Sequence, residues 1–139
     1  MEKENETLEP EVIFEDKDLA IINKPPGLMV HSDGKTKDKT LCDWITMKYP
    51  ETKGVGEPLK MVDGREIQRP GIVHRIDRWT SGILLIARNQ KAHQFFKEQF
   101  QAREIKKIYY AFVYGVPRDK FGTIDKPLGR SKGDFRRYA

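Results

Sequence analysis

Residues 71–89 read GIVHRIDRWTSGILLIARN, and this stretch decides the fold and points to a site. Its second half, ILLIAR, is a continuous apolar run, which is typical of a strand covered on both faces. The opening GIVH predicts another strand. Charged side chains interrupt the apolar pattern between them, and the carboxylate of Asp77 is flanked by Arg75 and Arg78. Such a cluster is either a structural ion pair or part of a site with chemistry.

Asp77 is the residue of this cluster best suited to chemistry. In an extended backbone Arg75 and Asp77 point to the same side, and a nearby cation favours the ionised form of a carboxylate. An ionised, oriented carboxylate can act as a nucleophile or as a general base. Thr80, Ser81 and Gly82 predict a tight turn into ILLIAR that places Asp77 at the edge of a cleft. The residues alone leave both readings open, a loop-pinning ion pair and a catalytic carboxylate.

Outward from this stretch, the residue pattern predicts several short strands and two helices. The PPG at residues 25–27 predicts a loop. Thr40 and Asp43 form a capping-box pattern for the first helix, and Asn89 caps the second. The predicted strands are 12–15, 19–23, 71–74, 83–88, 106–115 and 122–125, and the predicted helices are 40–49 and 89–102. These elements predict an α+β domain with a mixed, largely antiparallel sheet and few helices.

One domain with an uneven charge distribution is the expected organisation of the 139 residues. Residues 1–20 carry eight acidic and two basic side chains, whereas residues 103–139 carry ten basic and four acidic ones. Residues 1–10 lack apolar periodicity and are predicted to be a disordered acidic lead-in, followed by one domain over 11–139. The net charge is +5. A basic body of this kind favours a polyanionic partner, with nucleic acid as the first candidate.

Residue spacing excludes several common sites. The three histidines form no HxxxH or HExxH pair, and a single cysteine leaves no zinc-ligand set. No GxxxxGK[ST] phosphate loop is present, and HRID lacks the spacing and partners of a kinase catalytic loop. Cys42 lies on the first predicted helix, where a small core residue is the expected role. One cysteine also indicates a reducing cytoplasm, and no apolar run approaches the ~20 residues of a membrane-spanning helix.

Three ordered motifs resemble those of the RluA-type pseudouridine synthases, the ribosomal large-subunit and transfer-RNA uridine isomerases. Residues 69–89 are similar to the pattern G-I-V-H-R-L-D-x-x-T-S-G followed by an apolar strand, with Ile76 in place of leucine. DLAIINKPPGLMVH at 18–31 resembles the N-K-P-x-G-x-x-x-H segment of the family. Residues 100–115 resemble its F-x-x-R-x-[VI]-x-K-x-Y-x-A-x-V-x-G segment. The resemblance implies the catalytic-domain fold of this family, of which the chain holds a part.

The resemblance also implies roles for individual residues. Asp77 matches the catalytic nucleophile of the family, and Tyr109 matches the tyrosine that packs against the target uracil and assists proton transfer. The implied supporting or RNA-binding residues are His74, Arg75, Arg78, Thr80, Ser81 and Lys107. Of the two arginines, we expect Arg75 to support the site and Arg78 to contact the RNA backbone.

The reaction implied by the resemblance is the isomerisation of uridine to pseudouridine in ribosomal or transfer RNA. The bond between N1 and C1′ breaks, the base turns, and it is rejoined through C5, without a metal or a cofactor. The uridine has to leave the stack to be reached, so base flipping is expected. The expected partner is therefore RNA and not a membrane, and the chain is expected to act as a monomer in the cytoplasm.

A third motif of the family, G-[RK]-x-H-Q-[IL]-R, is not found before Ala139. It supplies the basic partner of the aspartate, so we expect the chain to be the N-terminal portion of a catalytic domain, truncated at the C-terminus. One alternative is an RNA-binding module of the same fold without turnover. Another is an unrelated hydrolase that uses Asp77 and His74 as an acid–base pair. RNA binding without isomerisation would indicate the RNA-binding module. Equal losses of activity in His74→Ala and Asp77→Ala would indicate the hydrolase.

Overall fold

Antiparallel strands and two helices build the part of the chain that the computed structural model describes, namely residues 8–34, 36–129 and 133. The chain divides into two units, Met1–Lys106 and Lys107–Ala139, and all regular elements of the described residues lie in the first. They are β1 (Glu11–Glu15), β2 (Leu19–Lys24), α1 (Leu41–Lys48), a 3-10 turn (Pro50–Thr52), β3 (Leu59–Lys60), β4 (Glu66–Ile67), β5 (Gly82–Ala87) and α2 (Gln90–Gln101). The predicted α+β class with largely antiparallel strands is confirmed.

Strand β2 is the centre of a three-stranded antiparallel sheet with the order β1–β2–β5. Ala20 and Ile22 of β2 lie opposite Ile86 and Leu84 of β5, and all four side chains are fully buried. Burial of one aliphatic side chain stabilises a fold by about 1.5–3 kcal/mol, so these cross-strand pairs are the centre of the core. The next residue on the same face of β2 is Lys24, which is also fully buried.

Helix α1 packs its apolar face into this core through the fully buried Leu41 and Ile45. The predicted capping box is confirmed, because the carboxylate of Asp43 accepts the backbone N–H of Thr40 at 2.7 Å. The N–H of Leu41 donates to the carbonyl of Met29 at 2.8 Å, which satisfies another donor of the first turn. The helix is thereby fixed to the loop that follows β2.

Helix α2 follows β5 and contacts it. The predicted cap is confirmed, since the side chain of Asn89 accepts the N–H of Ala92 at 2.9 Å. The amide of Asn89 also donates to the carboxylate of Asp18 at 2.8 Å, which fixes the start of α2 to the turn between β1 and β2. Ala92 and His93 are the buried residues of this helix.

The strand predicted at 71–74 is wrong. A single bridge between Ile72 and Ile86 is the one ladder contact of this segment among the described residues. Gly71 has a φ of +67°, and a Cβ there would lie 2.3 Å from the carbonyl oxygen of Ala87. Extended strands require a negative φ, so the segment crosses β5 at close approach and does not run along it.

The expectation that β5 is covered on both faces is also wrong. Leu84 and Ile86 are fully buried, but 59% of Ile83 is exposed. A continuous apolar run cannot distinguish a strand covered on both faces from one that is covered unevenly along its length. In the described part of the chain, the first residues of β5 leave their second face open.

The long connection after α1 contains a small hairpin that the sequence pattern did not predict. Strands β3 and β4 pair antiparallel, with Leu59 opposite Ile67. The N–H of Met61 donates to the carbonyl of Arg65 at 2.8 Å, and Gly64 supplies a φ of +82° in the turn. A two-residue strand is too short to show the alternating hydrophobic pattern from which strands are predicted.

The strands predicted at 106–115 and 122–125 are wrong for the described residues of the second unit, which form no helix or strand. Their β-branched and aromatic content favours strands, but a strand also needs a partner for its N–H and C=O groups. No described segment pairs with them, and Tyr110, Phe112 and Tyr114 are exposed. Residues 1–7 of the acidic lead-in and most of the basic residues 130–139 lie outside the described residues, and the domain limits of 11–139 remain a prediction.

Candidate active site

Asp77 lies on the loop between Ile72 and β5, with 88% of its side chain exposed. The N–H of Thr80 donates to the carbonyl of Asp77 at 3.1 Å, which closes a turn over residues 77–80. This turn lies earlier than the one predicted at 80–82, because Gly82 already begins β5. Ile76 is buried in the core next to it. Alternation therefore anchors the loop through Ile76 and presents the carboxylate of Asp77 to solvent.

Lys24 is the group that fixes the main chain of this loop. Its Nζ donates to the carbonyl oxygens of Pro25 at 2.9 Å, Leu28 at 2.8 Å and Arg78 at 3.0 Å. An ammonium has three donors, so each N–H has one partner. Burial lowers the pKa of Lys24, and the nearby carboxylate of Asp77 opposes that shift. A fully buried cation thus joins the end of β2 to the residue that follows Asp77.

Two further bonds join the same segments, and with Lys24 they form what we call the main-chain clasp: Lys24, Gly27 and Arg78. The N–H of Gly27 donates to the carbonyl of Arg78 at 2.8 Å, and Nε of Arg78 donates to the carbonyl of Gly27 at 2.9 Å. Gly27 has a φ of +90°, and a Cβ there would contact Trp79 at 3.5 Å. This backbone conformation is one that glycine adopts at little cost.

The side chain of Arg78 is therefore engaged within the protein. Besides Gly27 it contacts the carboxylate of Asp38 at 3.3 Å, and its guanidinium lies 5.7 Å from the ring of Trp79. Arg75 is the more exposed of the two arginines, with 61% of its side chain accessible against 42% for Arg78. The expectation that Arg78 contacts the RNA backbone and that Arg75 supports the site remains a prediction.

His74 occupies a structural position at the free edge of β5. Its Nε2 accepts the backbone N–H of Leu85 at 3.0 Å, and its ring stacks on Phe100 with centroids 4.6 Å apart. A backbone N–H can only donate, so Nε2 carries the lone pair and the ring is neutral in this arrangement. The lone pair that a general base needs is already used. The geometry therefore opposes the alternative in which His74 and Asp77 form a hydrolytic acid–base pair.

Arg75 connects Asp77 to a neighbouring cavity. Its Nη2 lies 4.0 Å from Oδ1 of Asp77, and its Nη1 lies 3.3 Å from Nε2 of His31. The cavity has a volume of about 380 Å³, and both Arg75 and His31 line it. Basic side chains of Arg69 and Lys97 also line it, although Lys97 pairs with Glu57 at 2.5 Å.

No group of three or more histidine, cysteine or acidic residues that could hold a metal is present among the described residues. Burial raises the pKa of the Cys42 thiol to about 12, so it is not poised to act as a nucleophile. In the same residues, no helix is both long and apolar enough to span a bilayer.

The sequence matches the family described as RNA pseudouridylate synthase over residues 18–138. The chain belongs to this family. The family resemblance inferred from the three motifs is thereby confirmed. In this chain, the motif that contains Asp77 is the loop that Lys24 and Arg78 hold in place.

Curated relatives agree on the family and are much longer than this chain. The chain is 35% identical to an uncharacterized RNA pseudouridine synthase of Aquifex aeolicus over 127 residues, which cover 91% of the chain and 37% of that protein. It is 37% identical over 123 residues to the ribosomal large subunit pseudouridine synthase D of Pseudomonas aeruginosa, covering 88% of the chain and 34% of the relative. The chain therefore spans about a third of the length of these relatives.

A solved structure, that of the human RNA pseudouridylate synthase domain containing 4, is 26% identical to the chain. The superposition has a TM-score of 0.46 and covers 68% of this chain and 30% of the human one.

The structure brings together some of the residues predicted for the site. Asp77, Arg75, Arg78, Thr80 and the exposed Ser81 share the loop before β5, with His74 at its start. Lys107 and Tyr109 belong to the second unit, and their roles remain predictions. The sequence analysis assigned no role to Lys24 or His31, although both are defined positions of the N-K-P-x-G-x-x-x-H segment. Alternation along β2 places Lys24 on the face of Ala20 and Ile22, and that signal was available.

Proposed function

We propose that this chain carries the catalytic aspartate of an RNA pseudouridine synthase that isomerises specific uridines of ribosomal or transfer RNA. The observation that carries the proposal is the exposed carboxylate of Asp77 on a loop whose main chain is fixed by a buried lysine. Preorganisation of a reacting group by a rigid support is what a nucleophile of an enzyme requires. Family membership and the basic charge of residues 103–139 support RNA as the substrate class.

In the proposed reaction the carboxylate of Asp77 attacks C1′ or C6 of a flipped-out uridine. The N1–C1′ bond breaks, the base turns, and a C5–C1′ bond forms. The bond between the uridine and the carboxylate of Asp77 breaks again, which returns the free carboxylate. The proton on C5 is then released to solvent, while N1 takes up a proton, so atoms balance without a redox partner. Tyr109 is proposed to pack against the uracil and to assist the proton transfer at C5.

The remaining predicted residues are proposed to bind RNA or to support the loop. Arg75, Arg78 and Lys107 supply positive charge for phosphate contacts, with the two arginines also bonded within the protein. Thr80 and Ser81 supply hydroxyl donors beside the turn. The name of the Pseudomonas aeruginosa relative favours ribosomal RNA of the large subunit as the first substrate to test.

A second candidate is an RNA-binding module of the same fold without turnover. It is supported by the basic charge of residues 103–139, which accounts for RNA binding without requiring turnover. This candidate predicts RNA binding that weakens with salt and no change in the bound uridines.

Tritium release from RNA labelled at uridine C5 distinguishes the two candidates. We expect release with bulk ribosomal or transfer RNA, and a loss of at least about 10³-fold for Asp77→Asn, as for removal of a nucleophile. Asp63→Asn is the matched control, because Asp63 is also an exposed carboxylate paired with an arginine, at 2.7 Å from Arg65. Salt-sensitive RNA binding without release in the parent chain would favour the silent module. Equal release by the parent and Asp77→Asn would contradict the role of Asp77.

A further inference from the structure

The geometry points to His31 as a positioning residue for Arg75. In its neutral form His31 holds the guanidinium beside Asp77, and protonation of His31 releases it. The contact itself stands on the structure alone, whereas its consequence for turnover rests on the proposed function.

Two contacts of His31 require the same protonation state. Nη1 of Arg75 lies 3.3 Å from Nε2 of His31, and a guanidinium has donors only, so Nε2 must be the acceptor. Nδ1 lies 3.0 Å from the carbonyl oxygen of Ser32, which only accepts, so Nδ1 must carry the proton. Both contacts are satisfied together by the neutral ring with its proton on Nδ1.

Arg75 bridges His31 and the candidate nucleophile. Its two terminal nitrogens face different groups, since Nη1 faces His31 and Nη2 lies 4.0 Å from Oδ1 of Asp77. These are the two polar contacts of the guanidinium given by the described residues. A long, mostly exposed side chain held at one end only has many rotamers, and the second contact selects those that keep the charge near Asp77.

Protonation of His31 removes this support in two ways. The imidazolium has no lone pair for Nη1, and it places a second cation 3.3 Å from the guanidinium. The other titratable or charged groups that line the same cavity are Glu57, Arg69, His74, His93 and Lys97. Among these, Glu57 and Lys97 neutralise each other at 2.5 Å, and Nε2 of His74 is bonded to the N–H of Leu85.

Nuclear magnetic resonance of the ¹⁵N-labelled chain tests the contact directly. We expect the Nδ1–H tautomer of His31 at neutral pH, and separate Nη1 and Nη2 resonances of Arg75 that merge as His31 becomes protonated. His31→Gln offers an acceptor oxygen near the position of Nε2 that does not titrate, so the resonances stay separate to about pH 5. His31→Leu merges them at every pH. An Nε2–H tautomer, or Arg75 resonances that do not respond to the state of His31, would overturn the proposal.

Turnover supplies a second readout through tritium release. We expect the rate to fall on the acid side in the parent chain, and this fall to be absent in His31→Gln. His31→Leu is expected to lose about tenfold in kcat at all pH values, as for one hydrogen bond to a charged group. An acid limb that persists in His31→Gln would assign it to another group and overturn the role of His31 in turnover. A chain that releases no tritium contradicts the proposed function alone, and the resonances of His31 and Arg75 then decide the positioning.

Discussion

Lys24 is the residue on which the position of Asp77 depends most directly. Its ammonium is fully buried, yet each donor bonds a main-chain carbonyl, and one of these belongs to Arg78, immediately after Asp77. A buried cation is tolerated when its hydrogen bonds are complete and an opposite charge is near. Asp77 supplies that charge, because its carboxylate raises the pKa of Lys24 against the effect of burial. The candidate nucleophile therefore helps to keep the buried lysine charged.

Replacing Lys24 by methionine tests this dependence. We expect Lys24→Met to lower the free energy of unfolding by about 1–3 kcal/mol at neutral pH, because the carbonyls of Pro25 and Leu28 lose their donor. Urea unfolding measures the change, and Lys48→Met is the control, since Lys48 is exposed on α1. Equal stability of the two variants would contradict a supporting role for the buried ammonium.

The pH dependence of the same variants gives a separate prediction with a defined sign. Burial lowers the pKa of Lys24 below its ordinary 10.5, so between the two values the unfolded chain binds more protons than the folded chain. The free energy of unfolding of the parent should therefore rise with pH in that window relative to Lys24→Met. Asp77→Asn removes the charge that raises this pKa, so the rise should begin at a lower pH. A parent and a Lys24→Met variant with parallel pH profiles would rule this out.

At the scale of elements, the free edge of β5 is satisfied by one segment that is not a strand. The carbonyl of Gly71 accepts the N–H of Ala87 at 2.9 Å, and the ring of His74 accepts the N–H of Leu85 at 3.0 Å. A side chain and a single carbonyl thus replace a neighbouring strand. The arrangement leaves residues 75–81 free of the sheet, which lets the Asp77 loop leave its plane.

Gly71→Ala tests the close approach at this edge. A Cβ there would lie 2.3 Å from the oxygen of Ala87, in addition to the strain of a φ of +67°. Gly64→Ala is the matched control, because Gly64 has a φ of +82° with nothing within 4 Å of the added Cβ. We expect Gly64→Ala to cost about 1–2 kcal/mol from backbone strain and Gly71→Ala clearly more. Equal losses of unfolding free energy in the two variants would show that the backbone near Ala87 moves to accommodate the added Cβ.

At the scale of the whole molecule, positive charge is expected to set the affinity for RNA. Residues 103–139 have a net charge of +6 from ten basic and four acidic side chains. For a single-stranded RNA, the logarithm of the affinity should fall with the logarithm of salt by about 0.7 per phosphate contact. Lys107→Gln should reduce that slope by about 0.7, whereas Lys48→Gln on α1 should not. Fluorescence anisotropy of a labelled ribosomal RNA fragment measures both, and identical slopes would exclude Lys107 as a phosphate contact.

Local sequence patterns predicted those features of the fold that depend only on residues close together in the chain. The capping box of Thr40 and Asp43 and the cap at Asn89 need only neighbouring residues, and both are present. The strand predicted at 71–74 is absent because Gly71 adopts a positive φ. The strand predicted at 106–115 is absent from the described residues because a strand also depends on a partner. The motif around Asp77 could be recognised from the sequence. The contacts of Lys24 and His31 with it could not, since they join residues more than forty positions apart.

The main-chain clasp of Lys24, Gly27 and Arg78 has a consequence for how this site can diverge. The carbonyl of Arg78 accepts both the Nζ of Lys24 and the N–H of Gly27, so these two bonds recognise the backbone and not the identity of the residue. The side chain at 79 can therefore be exchanged without loss of either bond, whereas exchange of Arg78 also removes the bond from its Nε to the carbonyl of Gly27. In a loop framed in this way, position 79 can change its side chain while the main chain next to Asp77 keeps its place.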